Sequence, residues 1–143
     1  MTRDEILNMP AGREMDALVA EKVMGWSNVE KTTWSNYRAD GTPFGGGKEW
    51  RGTPPNHEAE FNPVLYPIKN YSTDIAAAWM VVEKIRPLFW STQVMVWDHS
   101  DKYIVSCVYR GGHDEPEKAI NSEAPTAPLA ICRAALLAVM DSE

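Results

Sequence analysis

Cysteine and histidine are both scarce in this chain of 143 residues, with two of the first and three of the second. Cys107 and Cys132 lack the close spacing of a metal site and the number of a disulfide framework, so they read as buried thiols in a reducing compartment. No apolar run approaches the ~18 residues of a membrane span. The opening Met1-Thr2-Arg3-Asp4-Glu5-Ile6-Leu7 carries charge where a signal peptide has its apolar stretch, so neither a membrane partner nor a leader is expected. Basic residues are the minority, 14 Lys+Arg against 20 Asp+Glu for a net charge of −6. Coating a long nucleic acid needs the opposite balance, because phosphates must be neutralised.

Catalytic signatures are missing too. Gly45-Gly46-Gly47-Lys48 lacks the spacing and the following Ser/Thr of a phosphate loop, and reads as a flexible turn. His57, His99 and His113 lie far apart in expected loops, and only His113-Asp114-Glu115 gathers acid–base or metal-binding groups in one stretch. No catalytic residue, metal or cofactor is expected.

What the chain does have is aromatic. Six Trp, five Tyr and three Phe occur in one small acidic sequence. Its length suits one domain over residues 1–143, large enough for a normal core. Residues 2–25 read as helix, with a capping box at Thr2 and Glu5, an interruption at Pro10, and a stronger helix starting near that proline. Met15, Leu18, Val19 and Val23 form its apolar face, and Gly25 is the expected stop.

Residues 26–71 are elaborated and rich in glycine and proline, with short strands expected at Val29–Tyr37 and Lys48–Gly52. Eight aromatics in this stretch (Trp26, Trp34, Tyr37, Phe44, Trp50, Phe61, Tyr66, Tyr71) argue against disorder. A helix follows, capped by Ser72 or Thr73, with Asp74 in its first turn. Ile75, Ala78, Trp79, Val82 and Ile85 face the core, and Pro87 ends it. Gln93–Trp97 and Tyr103–Arg110 read as an antiparallel hairpin, Gly111–Pro125 as a polar loop, and Thr126 to about Met140 as a final helix. This order predicts an α+β fold, a small layered α/β/α sandwich with an antiparallel sheet and flanking helices.

Charge is uneven along the chain. From Lys31 to Arg51 four basic residues meet two acidic ones, a net of +2. A positive, aromatic-rich segment on an acidic body suits a small anionic ligand with a π-face, held by arginine forks and stacked aromatics. Trp34, Tyr37, Trp50 and Tyr71 are the candidate stacking residues, and Arg38, Arg51 and Arg110 the candidate anion ligands. Ser72 and Thr73 join them, because a helix N-terminus presents free N–H groups to an anion. The same aromatics also suit the cover of a core.

Three blocks carry a family resemblance. Ala11-Gly-Arg-Glu-Met-Asp-Ala-Leu-Val-Ala-Glu-Lys-Val-Met-Gly-Trp26 resembles the opening of the phage ABA-sandwich domain family. Asn70-Tyr-Ser-Thr-Asp-Ile-Ala-Ala-Ala-Trp-Met-Val-Val-Glu-Lys-Ile85 is similar to its central segment, and Pro125-Thr-Ala-Pro-Leu-Ala-Ile-Cys-Arg-Ala-Ala-Leu-Leu-Ala138 to its closing helix. Residues 27–65 are longer than the family's usual connection. The resemblance implies a helix–sheet–helix sandwich of phage or prophage origin, with no activity settled for the family as a whole.

At the level of class, the chain also resembles phage anti-defence proteins that sequester nucleotide immune signals. That analogy implies a binding protein, not an enzyme, in the cytoplasm of the infected bacterium. Its expected ligand is an ADP-ribose-derived signal of a TIR-type (Thoeris) system, such as a cyclic ADP-ribose isomer, or a cyclic dinucleotide. A homo-oligomer enclosing the ligand is expected. The alternatives are a module that blocks a host protein through an aromatic–arginine surface, a cyclic-nucleotide phosphodiesterase using His113, Asp114 and Glu115, and a virion component.

Overall fold

The computed structural model describes residues 1–57, 65–96, 101–109 and 118–141, without the side chains of Trp34, His57 and Asp141. Helix α1 (Arg3–Asn8) starts at the predicted capping box. The Thr2 hydroxyl accepts from the Glu5 N–H at 3.2 Å, and the Glu5 carboxylate accepts from the Thr2 N–H at 2.6 Å. The backbone bond from Thr2 holds the Glu5 carboxyl below its ordinary pKa. Helix α2 (Arg13–Lys22) opens at Gly12, so Pro10 stands in the connection and not in the helix's first turn. Met15, Val19 and Val23 are buried as expected, with Leu18 half-buried at the edge.

Strands β1 (Ser27–Tyr37) and β2 (Pro43–Thr53) form a long antiparallel ribbon, and β3 (Tyr66–Pro67) pairs with the far end of β2. Both long strands exceed the expected segments. The glycine triplet lies inside β2, opposite β1, and the turn falls at Arg38–Thr42 instead. Gly45, at φ +65°, is the extra residue where Ser35 pairs with Gly46 and Asn36 with Phe44. A bulge in that left-handed conformation favours glycine, which explains why a turn-like sequence sits in a strand.

Helix α3 (Ile75–Ile85) takes Asp74 as its cap, whose carboxylate accepts from the Ala76 N–H at 3.0 Å. The cap is therefore one residue beyond the expected Ser72 or Thr73. The helix buries Ala77, Ala78, Val81, Val82 and Ile85, whereas Ile75 is exposed and Trp79, expected in the core, is 53% exposed. α3 packs on α4 (Ala127–Asp141), and both helices bury runs of alanine, a close contact that leaves no room for an indole.

A 3-10 turn at Arg86–Leu88 leads into a second antiparallel sheet, β4 (Phe89–Val96), β5 (Tyr103–Tyr109) and β6 (Ala119–Ala124), in that order. β4 and β5 are the expected hairpin; Trp97 and Arg110 lie outside the described residues. β6 falls where a polar loop was expected. Its inward residues are Ile120, Ser122 and Ala124, too small and polar to show a strand's alternation. Ser122 is satisfied in the interior by donating to the Ala130 carbonyl at 2.9 Å.

α4 explains the packing. Leu129 to Cys132 and Ala134 to Ala138 are all buried, so the helix is covered on every side. It rests on β5 and β6 and meets α1, α2 and α3. Helices on antiparallel sheets make this the expected α+β sandwich, with two three-stranded sheets where one was anticipated. Among the described residues, no helix is long and apolar enough to cross a membrane.

Candidate functional site

Among the described residues, those singled out from sequence are not gathered in one place. Tyr37 and Arg38 sit at the ribbon's tip, where the Arg38 guanidinium lies 5.8 Å from the Phe44 ring centre. Asp40 closes that turn by accepting from the Thr42 hydroxyl at 2.6 Å and its N–H at 3.0 Å, and the hydroxyl bond chiefly lowers the Asp40 pKa. Trp50 and Arg51 lie about eight residues back along β2, roughly 26 Å at strand rise. Within one chain the two groups stand well apart along the ribbon. Trp50 packs half-buried against the core, and Arg51 is paired with Glu49 at 3.2 Å. Trp34 faces Gly47 in the ladder, with its side chain outside the described set. Arg110, His99 and His113-Asp114-Glu115 lie outside the described residues.

Ser72 belongs to an interior network. Asp16 of α2 accepts from the Ser72 N–H and hydroxyl, each at 2.7 Å, and from Arg13 at 3.0 Å. Gly12 donates its N–H to the Ser72 oxygen at 2.9 Å. Arg13 also donates to the Asn70 side chain at 2.6 Å and to the Ile68 carbonyl at 2.5 Å. Asp16 and Ser72 are both buried, so this charge is compensated rather than solvated. The network clamps residues 68–72 onto α2. Thr73 is exposed beside it, and the Ala76 N–H in α3's first turn is already taken by Asp74.

The clamped segment forms one wall of a cleft of about 640 Å³. Met24, at the end of α2, and Trp26 meet Pro54, Pro55 and Asn56 after β2, Tyr66, Pro67, Lys69 and Tyr71 from the β3 region, and Met80 and Lys84 from α3. The clamp thus fixes Lys69 and Tyr71, and α3 presents Met80 and Lys84 one turn apart. Tyr71, 1% exposed, shares a side-chain hydrogen bond with Trp26, and burial raises its pKa so that the phenol stays protonated at neutral pH. Of the predicted residues, Tyr71 lines this cleft, and Arg51 pairs with Pro67, its neighbour in the sheet.

Two cations and no carboxylate line the cleft among the described residues, although the chain is acidic overall. Neither Lys69 nor Lys84 takes part in an ion pair there. The size is that of a small-molecule site. Lys69 and Lys84 were missed because an isolated lysine carries no motif; the usable signal was Lys84 four residues after Met80 on an exposed helix face. Among the described residues, no group of three His, Cys, Asp or Glu could hold a metal ion.

Among the described residues, four helices and two antiparallel sheets define the class, an α+β sandwich. The chain belongs to the phage ABA sandwich domain family, whose sequence model matches residues 17–136. No curated protein matches it.

Proposed function

We propose that this protein binds a small anionic nucleotide and sequesters it without cleaving it. The observation that carries the reading is the cleft itself: among the described residues its lining holds two lysines and no acidic side chain amid aromatic and proline surfaces, on a chain of net charge −6. Lys69 and Lys84 supply point charges for phosphate, and Tyr66 with the adjacent prolines supplies a flat apolar wall for a base. Micromolar affinity corresponds to about −8 kcal/mol. One stacked base at ~1–3 kcal/mol and several charge-assisted bonds are of that order.

A phage family is compatible with action in the cytoplasm of an infected bacterium, and there the proposed ligand is an immune signal. Within that class the ADP-ribose-derived signal of a TIR-type Thoeris system, such as a cyclic ADP-ribose isomer, is the first candidate, with cyclic dinucleotides next. The test is to mix purified protein with each nucleotide, remove free ligand, denature by heat and chromatograph what is released. Intact nucleotide is the expected result, lost in the Lys69→Ala/Lys84→Ala double variant. Cleaved products would convert the reading to an enzyme, and no retention across the panel would leave a module that blocks a host protein.

A further inference from the structure

The lysine cleft has a floor as well as walls. Lys69 and Lys84 are exposed, whereas Trp26 and Tyr71, which line the same cleft, are 7% and 1% exposed. The segment after β3 thus descends from a charged rim at Lys69 to a buried phenol two residues later. So little of Tyr71 is accessible that its ring face is closed to stacking, the role expected of it from sequence. A ligand can reach it only at a small spot.

The two floor residues are held by separate devices. Trp26 lies against the backbone of Gly52, where a Cβ would stand 3.3 Å from Trp26 Cε3, 3.1 Å from the Ser27 carbonyl oxygen and 3.0 Å from Val29 Cγ2. A glycine at that position lets the indole settle this close. Tyr71 precedes Ser72, whose N–H and hydroxyl are both fixed on Asp16. The hydrogen bond between Trp26 and Tyr71 therefore joins two anchored side chains. An indole N–H can only donate, so the Tyr71 oxygen is the acceptor. The phenolic proton must point elsewhere, and among the described residues no group takes it. Burial keeps that proton on the oxygen at neutral pH.

We propose that the Tyr71 hydroxyl donates a hydrogen bond to a phosphoryl oxygen of the bound ligand, seated on the cleft floor with the Lys69 and Lys84 ammonium groups at its rim. Each of the three offers a donor, and phosphoryl oxygens only accept, so the charge-assisted bonds match. The base then lies outward, against Tyr66 and the prolines. Exposed Asn56 stands on that side of the lining, and its amide carries donor and acceptor together, as a base edge does. This seat rests on the nucleotide reading for its ligand class, and it adds which end of the ligand enters first and the group that meets it.

Titrating the full chain with orthophosphate, AMP and adenosine tests the seat. The Trp26 indole N–H is followed by heteronuclear NMR and assigned by its loss in Trp26→Phe. A phenol that donates becomes a better acceptor, so orthophosphate and AMP should each move this signal downfield. Adenosine should leave it in place. Tyr71→Phe keeps the ring and removes the hydroxyl, so both phosphates should bind about tenfold more weakly, with cooperative melting showing that the variant is folded. The signal of the parent chain is read without any variant. A Trp26 signal unmoved by orthophosphate and AMP, an equal shift with adenosine, or undiminished phosphate binding in folded Tyr71→Phe overturns the seat. Nucleotide retained in the heat-release assay with Trp26 silent removes the seat and keeps the nucleotide reading. Orthophosphate bound at Tyr71 with no nucleotide retained does the reverse.

Discussion

The β1–β2 ribbon and the α4 helix are built on opposite terms. The ribbon pairs almost entirely with itself, and its outer half is exposed throughout. α4 touches three helices and two strands, and nine of its residues are buried. Stability resides where apolar area leaves water, at roughly 25 cal/mol per Å². The ribbon contributes little of that area to the rest of the chain. Its composition is accordingly free to carry exposed aromatics, glycines and positive charge, whereas α4 is restricted to small and aliphatic residues.

The sharpest way to break this contrast is to truncate one side chain in each region. Leu137→Ala, in the fully buried part of α4, should cost about 3–4 kcal/mol, while Phe44→Ala on the ribbon should change stability by no more than about 0.5 kcal/mol. Urea denaturation of both variants reads the difference directly. Equal losses would mean that the ribbon is packed into the core of the chain.

The next effect concerns the clamp that holds residues 68–72 on α2, outside both regions. Asp16→Ala leaves the Ser72 N–H and hydroxyl and the Arg13 guanidinium short of an acceptor, at a cost of about 3 kcal/mol. Because the clamp positions Lys69 and Tyr71, nucleotide affinity should fall with it. Ser72→Ala should lose less, since Arg13 keeps its carboxylate. Calorimetry at a temperature where both variants are folded separates affinity from stability.

A cleft substitution should act the other way round. Lys69→Ala or Lys84→Ala should each weaken nucleotide binding about tenfold, some 1.4 kcal/mol, with the melting temperature unchanged. Both side chains are exposed, so a stability loss would show a structural role instead.

The last effect is absent at neutral pH and confined to alkaline solution. Burial raises the pKa values of Tyr71, Cys107 and Cys132. Groups whose pKa is raised by folding contribute stability that is complete below their unfolded values and lost as pH climbs through the folded ones. The urea midpoint should therefore be level up to about pH 9 and decline above it. The decline should be shallower in Cys107→Ala/Cys132→Ala. A flat profile to pH 11 in the parent chain would show these groups to be solvated.

Much of this was legible in the sequence, for identifiable reasons. The Thr2–Glu5 capping box is a local motif, and the structure holds both of its bonds. The β4–β5 hairpin and α4 showed strong patterns of their own. β6 was missed because its inward positions are Ile120, Ser122 and Ala124, and only the Ala130 carbonyl makes a buried serine acceptable there. Trp79 was misplaced because helical period gives a face but not its rotation about the neighbour, which the alanine contact with α4 decided.

The candidate site followed the same division. The sequence showed an aromatic 26–71 region and an uneven charge, and Tyr71 does line the cleft. It could not show that Lys69, Lys84, Trp26 and Tyr66 converge, because they come from separate elements joined only by tertiary packing.

By itself the sequence determined the helices with local caps, the α+β class, the family and the acidic body with one basic segment. Those follow from propensity, period and composition, which act over a few residues or over the chain as a sum. The tertiary structure alone decided that the arginines and tryptophans of the ribbon stand apart and that a buried Asp16 clamps the loop carrying Lys69. It also left α3 and β4 with an uncovered apolar side. Such features depend on which faces meet across long sequence separations, and no local pattern encodes that.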